Sequence, residues 1–321
     1  MTEALPDFAL ARPATVDEVM AALQGAPGAA LLAGGTDMMV RIRKGLAAPG
    51  TVIDLSGIGE LDGIERSEAG LRIGAGVTLD RIEDTAEIAR DYPALARAAA
   101  TVAGPSHRTV ATLGGNLCLD TRCVYYNQSH WWRQSHDFCL KYKGDTCHVA
   151  PQGNRCRAAF SGDLAPALMV HDAALEIAGP EGRRRVNLSD FYVEDGAAHL
   201  ALGPQEIVVA VHLPGGGRVS DYRKIRVRQA VDFPLAGVAV ARDDSGDGVR
   251  LLVAVTGTNS RPLMIEPIEL PPGAAADEAV FAALDKRVQK AVSPQRTTLI
   301  APHYRRLSAA ALAVRMAREL L

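Results

Sequence analysis

Helical and alternating patterns of apolar residues divide the chain into three stretches of different character. VDEVMAALQ, starting at Val16, repeats apolar residues at helical spacing behind Thr15 and Glu18, a T-x-x-E capping pair, and stops near Gly25. AALLA (29–33) and the β-branched TVIDL (51–55) read as strands, with a short helix in DMMVRIRKG between them. The opening therefore predicts a small β-α-β unit over residues 1–57. A second unit, 58–185, begins in the turn-rich ELDGIERSEAG. It continues as a strand, LRIGAGVT (71–78), then helices in LDRIEDTAEIA and YPALARAAATVA. HRTVATLGGN (107–116) reads as a strand-like run ending at two glycines. SGDLAPALMVHDAALEIAG (161–179) reads as a short helix and a strand, and AGPEGRRRVNL as a hairpin. The third unit, 186–321, has strands at 206–214, 220–228, 233–242 and 249–258, then two helices, DEAVFAALDKRVQKAV and HYRRLSAAALAVRMARELL. Strands followed by helices predict an α+β fold.

Between 119 and 160 the periodicity fails. A stretch of about forty residues without its own pattern, inside a compact domain, points to function rather than connection. It also holds most of the chain's unusual chemistry. Four of the five cysteines lie between 123 and 156, with both tryptophans and three of the eight histidines.

Composition narrows how those cysteines are read. With 48% hydrophobic and 22% charged residues, the chain has the make-up of a soluble globular protein. A net charge of −2 without a Lys/Arg block argues against a nucleic-acid or membrane-surface face. No run of 18 apolar residues occurs, and MTEALPDFALARPATVDEV lacks a basic-then-apolar leader, so the expected compartment is the cytoplasm. In a reducing compartment clustered cysteines hold a metal or do redox chemistry more often than they form disulfides. The set Cys123, Cys139, Cys147 and Cys156 has no C-x-x-C pair, so its spacing alone leaves structural zinc, an iron–sulfur cluster and plain buried thiols all open. Cys118 reads as a small buried residue outside the set, and Trp131 and Trp132 as the stretch's own core. His130, His136 and His148 are expected at the surface or behind the ligands, and Lys141, Lys143 and Arg155 as solvated charges.

Two further segments share one design. AGGTDMM (33–39) and TLGGNL (112–117) each place paired glycines and a small polar residue after an apolar run. Paired glycines let backbone N–H groups converge and a phosphate approach closely. Thr36, Asp37, Thr112 and Asn116 are positioned to add hydrogen bonds, and a helix starting at Asp37 would favour an anion. Either turn alone reads first as a tight turn; the two together point to a dinucleotide held at two places. Gly74-Ala75-Gly76 lacks the third glycine of a Rossmann fingerprint and reads as strand.

AGGTDMM, TLGGN, GDLAPALMVHDA and the lysine of YRKIRVR, in that order, resemble the FAD-binding medium subunit of the xanthine dehydrogenase family of molybdenum hydroxylases. The resemblance extends to the C-terminal helix. It implies a vanillyl-alcohol-oxidase-type FAD-binding fold in two subdomains plus a smaller C-terminal α+β domain. It also implies that Ala33, Gly34, Gly35, Thr36 and Asp37, with Thr112, Gly114, Gly115 and Asn116, hold the FAD pyrophosphate. Asp163 would hydrogen-bond the adenosine or ribityl end, Val208 would pack on the ring system, and Lys224 would stand near the flavin's pyrimidine edge.

Most members of that family pass almost directly from the TxGGN turn to the DLxPAL segment, so residues 119–160 are an insertion. Its cysteine spacing, with YYNQSHWW and CLKYKGDTCH around it, resembles the β subunits of 4-hydroxybenzoyl-CoA reductases. That resemblance implies a [4Fe–4S] cluster on Cys123, Cys139, Cys147 and Cys156. It further implies a molybdenum-cofactor large subunit and a [2Fe–2S] small subunit as partners, in a dimer of heterotrimers, with ferredoxin as electron donor. Electrons would run from ferredoxin through the cluster and FAD to the partner's clusters, for reductive removal of an aromatic hydroxyl; no catalytic residue is expected on this chain. Competing readings are a stand-alone FAD oxidoreductase with a zinc-bound lid, a cysteine loop that only docks a partner, and a molybdenum enzyme acting on another aromatic or heterocyclic substrate.

Overall fold

The computed structural model describes residues 5–274 and 276–321. The opening unit comprises β1 (Ala9–Ala11), α1 (Val16–Gly25), β2 (Ala30–Leu32), α2 (Met38–Arg43) and β3 (Thr51–Asp54), with β3 parallel to and between β1 and β2. The α1 cap forms as its sequence predicts: Thr15 Oγ1 accepts from Glu18 N at 3.2 Å, and Glu18 Oε2 accepts from Ala14 N at 2.7 Å. Val16, Val19 and Leu23 make the buried stripe of α1, packing with Ile53 and with Ala178, Ile207 and Val209 of the neighbouring sheet.

The middle of the chain adds β4 (Ile64–Ser67), β5 (Gly70–Gly74), α3 (Leu79–Asp84), α4 (Ala86–Asp91), α5 (Pro93–Thr101), α6 (Pro105–Arg108), α7 (Leu113–Leu117), α8 (His130–Gln134), α9 (Leu164–Met169), β6 (Ala174–Gly179), β7 (Gly182–Asn187) and β8 (Ile207–Pro214). Its sheet is antiparallel, in the order β4-β5-β8-β6-β7. β8 was expected to open the third unit, yet it sits at the centre of this sheet. The run IVVAV is apolar on both faces, and only a central strand buries both. Ile207 and Val209 meet the α1 core, while Val208, Val211 and Leu213 meet the core under α3, α5 and α9.

The last sheet has the order β12-β11-β10-β9, from β9 (Val219–Ile225), β10 (Ala236–Asp243), β11 (Val249–Thr256) and β12 (Leu263–Leu270). Helices α10 (Glu278–Ala291) and α11 (Pro302–Leu320) cover one face, meeting Val238, Val240 and Val253; Ala239, Ala241 and Ala254 on the other face join the central core. Sequence reading missed β12. It carries Pro267, which a sheet tolerates here because β12 is an edge strand. HRTVATLGGN also differs from expectation. It is not a strand but α6 and α7, with Thr112 as N-cap accepting from Gly115 N at 3.1 Å.

The 119–160 segment, expected as an insertion, leaves the body through a narrow neck, where Arg122 and Ala159 exchange backbone hydrogen bonds of 2.7 and 2.8 Å. Its core is not its tryptophans. Trp131 is 75% exposed, and Trp132 stacks on His136 at 3.9 Å. Inside lie Cys123, Tyr126, Cys156 and Ala158, packed on Leu46. Arg133 is the buried anchor of α8, its Nη2 donating to the carbonyls of Lys44 and Gly45 at 3.0 and 3.1 Å, just past the end of α2. Neighbouring positions of a helix cannot all face one way, so turning Arg133 inward turns Trp131 out. From the other side, Val124 N donates to Thr297 O at 2.8 Å, in the segment that buried Arg305 of α11 braces through the carbonyl of Gln295 at 2.9 Å.

Candidate functional site

A cleft of about 890 Å³ opens between the three-stranded unit, α7 and the loop following β9, within the range of small-ligand sites. Ala33, Gly34, Gly35, Thr36 and Asp37 line it, and so do Thr112, Gly114, Gly115, Asn116, Asp163 and Val208. The two glycine turns therefore meet on one cavity. What joins them is the absence of a side chain at Gly34: a Cβ there would penetrate the Val110 carbonyl and come within 3.0 Å of Ala111 N. Gly35 follows with φ +72°, a conformation that favours glycine. Gly114 packs closely on Ala75, whose Cβ would stand 2.8 Å from an added methyl. Ala75 and Gly76, which read as strand in the sequence, also line the cleft just past the end of β5. Asn116 is already engaged, its Oδ1 accepting from Leu164 N at 3.1 Å and so tying α7 to α9.

Asp163 marks the far wall. It is 3% exposed, accepts from Tyr222 Oη at 2.6 Å, and lies 2.9 Å from Lys224 Nζ. Burial pushes its carboxyl above the ordinary carboxylate range, against the pull of Lys224 and Tyr222. Lys224 is not on the cleft wall; it stands behind Asp163, its side chain 2% exposed, and donates to Asp232 O at 3.3 Å. Gly237, opposite Lys224 in the β9–β10 register, leaves room for the Tyr222 hydroxyl. Sequence reading did not find Tyr222, because a tyrosine inside an apolar strand gives no sign of a carboxylate partner on another element.

A second, smaller cavity of about 10 Å³, room for about one water, lies in the insertion and is lined by Cys123, Cys139, Cys147 and Cys156 with Lys141 and His148. Three of these thiols are buried and none is in a disulfide. Cys139 sits in a tight turn, its carbonyl accepting from Tyr142 N at 2.7 Å and Gly144 N at 3.1 Å. Burial pushes the Cys123 thiol up to about 12, although the backbone N–H groups of Tyr125 and Tyr126 pull the other way. Cys156 is pushed up to about 11 by burial, against Ala158 N, which donates to its sulfur at 3.4 Å, and Lys141. Such thiols become thiolates when a bound cation supplies the compensating charge. Among the described residues no three His, Cys, Asp or Glu side chains converge on one ion position. Tetrahedral zinc would hold its sulfurs about 3.8 Å apart at its usual bond length; a four-iron core offers four separate corners. Cys118, expected as a buried filler, is half-buried and lines the large cleft instead, its thiol pushed up to about 12 by burial.

A chain of charges joins the two cavities. Lys141 lines the small one, and its side chain is 6% exposed rather than solvated. Its ammonium donates to Asp120 Oδ1 at 2.6 Å and lies 4.5 Å from the Tyr126 ring centroid. Asp120 Oδ2 stands 3.2 Å from Nε of Arg41, which lines the cleft. Burial alone would raise the Asp120 carboxyl, but Lys141 and Arg41 outweigh it and hold it below the ordinary value. A depressed carboxyl contributes stability above its unfolded value of about 3.9, and that contribution is lost as pH falls through the folded one. Asp120→Asn leaves the buried Lys141 and the partly buried Arg41 without their counter-charge and is expected to cost about 3 kcal/mol at pH 7 in urea unfolding. The difference from the native protein should shrink below about pH 4, where the unfolded chain's carboxyl protonates, and vanish once pH passes the lower folded value.

Fold and site together define a vanillyl-alcohol-oxidase-type FAD-binding protein with a smaller α+β domain. The family described as the FAD binding domain in molybdopterin dehydrogenase matches residues 6–216, and the chain belongs to it, as an FAD-binding oxidoreductase subunit of the molybdenum hydroxylase class. The chain is 36% identical over 272 residues to the aldehyde oxidoreductase FAD-binding subunit PaoB of Escherichia coli, covering 81% of this chain and 84% of that one. A xanthine dehydrogenase FAD-binding subunit, also from Escherichia coli, is 31% identical over 76% of this chain and 71% of its own. In structure, the chain superposes on a Cu,Mo-CO dehydrogenase with TM-score 0.78 at 22% identity, covering 99% of both chains. Quinoline 2-oxidoreductase from Pseudomonas putida 86 gives TM-score 0.77 at 22% identity, covering 99% of this chain and 98% of that one. Among the described residues no helix is long and apolar enough to cross a membrane.

The cleft suits FAD on its own evidence. Its glycine turns present bare backbone, and three polar atoms of lining residues, Arg41 Nε, Arg122 Nε and Asn127 Oδ1, are buried without a hydrogen-bond partner. Arg122 and Asn127 did not stand out in the sequence, since both lie past Leu119, away from the glycine motifs.

Proposed function

We propose that this chain is the electron-transfer subunit of a molybdenum oxidoreductase, holding FAD in the glycine-turn cleft and a [4Fe–4S] cluster on Cys123, Cys139, Cys147 and Cys156. The observation that carries the proposal is the donor set: four thiols drawn from 34 residues all line one small cavity, with no three of them converging on a single ion position among the described residues. Bound, the flavin takes electrons as a pair and the cluster takes them singly, which suits the two to work in series. The residues of this chain supply the setting. The 33–37 and 112–116 turns receive the diphosphate, Asp163 hydrogen-bonds the ribityl or adenosine end, and Val208 packs on the ring system. Lys224, expected near the flavin's pyrimidine edge, stands behind Asp163 and would act on a bound flavin through that carboxyl, fixing its place and offsetting its charge. Around the thiols, the N–H groups of Tyr125, Tyr126 and Ala158 and the ammonium of Lys141 favour thiolate over thiol.

A molybdenum-cofactor large subunit and a [2Fe–2S] small subunit complete the enzyme in this reading, as a dimer of heterotrimers with ferredoxin as donor. Two substrates for the large subunit each rest on an observation. Likeness to an aldehyde oxidoreductase subunit over 81% of the chain favours an aldehyde. The cysteine spacing favours 4-hydroxybenzoyl-CoA, with reductive loss of its hydroxyl.

Iron, acid-labile sulfide and zinc analysis of the purified complex, corrected for the small subunit, tests the cluster. About four irons per FAD are expected, and zinc in place of iron on this chain would overturn the reading. Anaerobic addition of an aromatic aldehyde should bleach the flavin if the first substrate is right. Re-oxidation of pre-reduced flavin by 4-hydroxybenzoyl-CoA selects the second.

A further inference from the structure

We infer that Arg122, a residue of the cysteine-bearing insertion, is part of the FAD site, where it neutralises Asp37 so that the FAD diphosphate can lie against the first glycine turn. The inference rests on the reading that FAD occupies this cleft with its diphosphate at the glycine turns. Asp37 is the polar residue that closes the 33–37 turn, and as a carboxylate on the cleft wall it would repel a doubly charged diphosphate. Its partner is Arg122, whose Nη2 pairs with Asp37 Oδ1. Arg122 also lines the cleft, its guanidinium lies 5.2 Å from the Phe233 ring centroid, and its Nε is buried with no hydrogen-bond partner. One donor thus cancels the acidic residue while another is left for an incoming acceptor.

Backbone geometry explains how an inserted segment reaches the flavin. Arg122 pairs with Ala159 in an antiparallel bridge at the neck, and successive residues of an extended chain face opposite ways. Arg122 therefore lines the cleft, while Cys123 lines the thiol cavity. Consecutive residues thus line the two sites, and the segment that brings the thiols also brings the cation.

FAD titration of the deflavinated protein, followed by quenching of flavin fluorescence, tests the assignment with ADP as competitor. Arg122→Gln is expected to weaken both FAD and ADP by about tenfold to a hundredfold, the scale of a lost charge-assisted hydrogen bond. Riboflavin, which lacks the diphosphate, should bind Arg122→Gln as it binds the native protein. Adding Asp37→Asn to Arg122→Gln should restore at least part of the affinity, and Arg122→Lys should keep most of it. Iron content equal to that of the native protein shows that the insertion stays folded. Native FAD and ADP affinity in Arg122→Gln, or a double variant no better than the single one, overturns the inference. Should Gly34→Ala bind FAD normally as well, the error lies in placing the flavin in this cleft rather than in the role of Arg122.

Discussion

Replacing Cys147 with serine is expected to strip the protein of its iron and leave its FAD in place. Cys147 is 5% exposed and faces the small cavity with Cys123, Cys139 and Cys156. A serine hydroxyl at that corner is a harder and far less acidic donor than a thiol, and iron–sulfur cores are held by thiolates. The large cleft shares no lining residue with the thiol cavity, so flavin retention separates cluster loss from unfolding. Iron per FAD should fall from about four to below one. Cys118→Ser provides the contrast: Cys118 lines the cleft rather than the thiol cavity, and its loss should leave iron untouched. Full iron in the Cys147 variant would remove that residue from the ligand set.

Gly34→Ala is expected to abolish tight FAD binding and to destabilise the fold by roughly 3 kcal/mol, the upper range for overpacking against a surface that cannot yield. The added methyl would enter the Val110 carbonyl, which is main chain and cannot rotate aside as a side-chain tip would. To relieve it the 33–37 turn must withdraw from the 107–111 segment, and the two glycine turns then no longer share one cavity. Flavin content after purification and the urea midpoint read the two effects. Gly50→Ala, where nothing lies within 4 Å of the new atom, is the matched control and should stay within about 0.5 kcal/mol of the native protein. A Gly34 variant that keeps its flavin would move the FAD out of the cleft between the two glycine turns.

Much of this molecule is legible along the chain where local chemistry decides. The α1 and α10 helices announce themselves through Thr15 and Asp277, whose side chains accept from Glu18 N and Val280 N at the first turn. The glycine pairs and the four cysteines are likewise local patterns, and the structure gathers each set on one cavity. Strand order is another matter. β8 pairs with β5, more than a hundred residues earlier, and nothing in EIVVAVHLP names that partner. The same limit hides the charged residues of the site. Lys141 reads as solvated because the lysine of a polar loop usually is; only Asp120, brought in from before the neck, and the Tyr126 ring make it buried. Arg122 has meaning only once Asp37 is beside it, and Asp163 only once Tyr222 and Lys224 have crossed from another sheet.

The position of the two indoles has a practical result. Both tryptophans of the chain belong to α8, one facing solvent and the other stacked on His136, so ultraviolet emission excited at long wavelength comes from the insertion alone. An optical melt followed at that wavelength reports when this excursion detaches from its neck, while far-ultraviolet dichroism follows the three sheets. The distance between those two curves measures how firmly the graft is seated on its host.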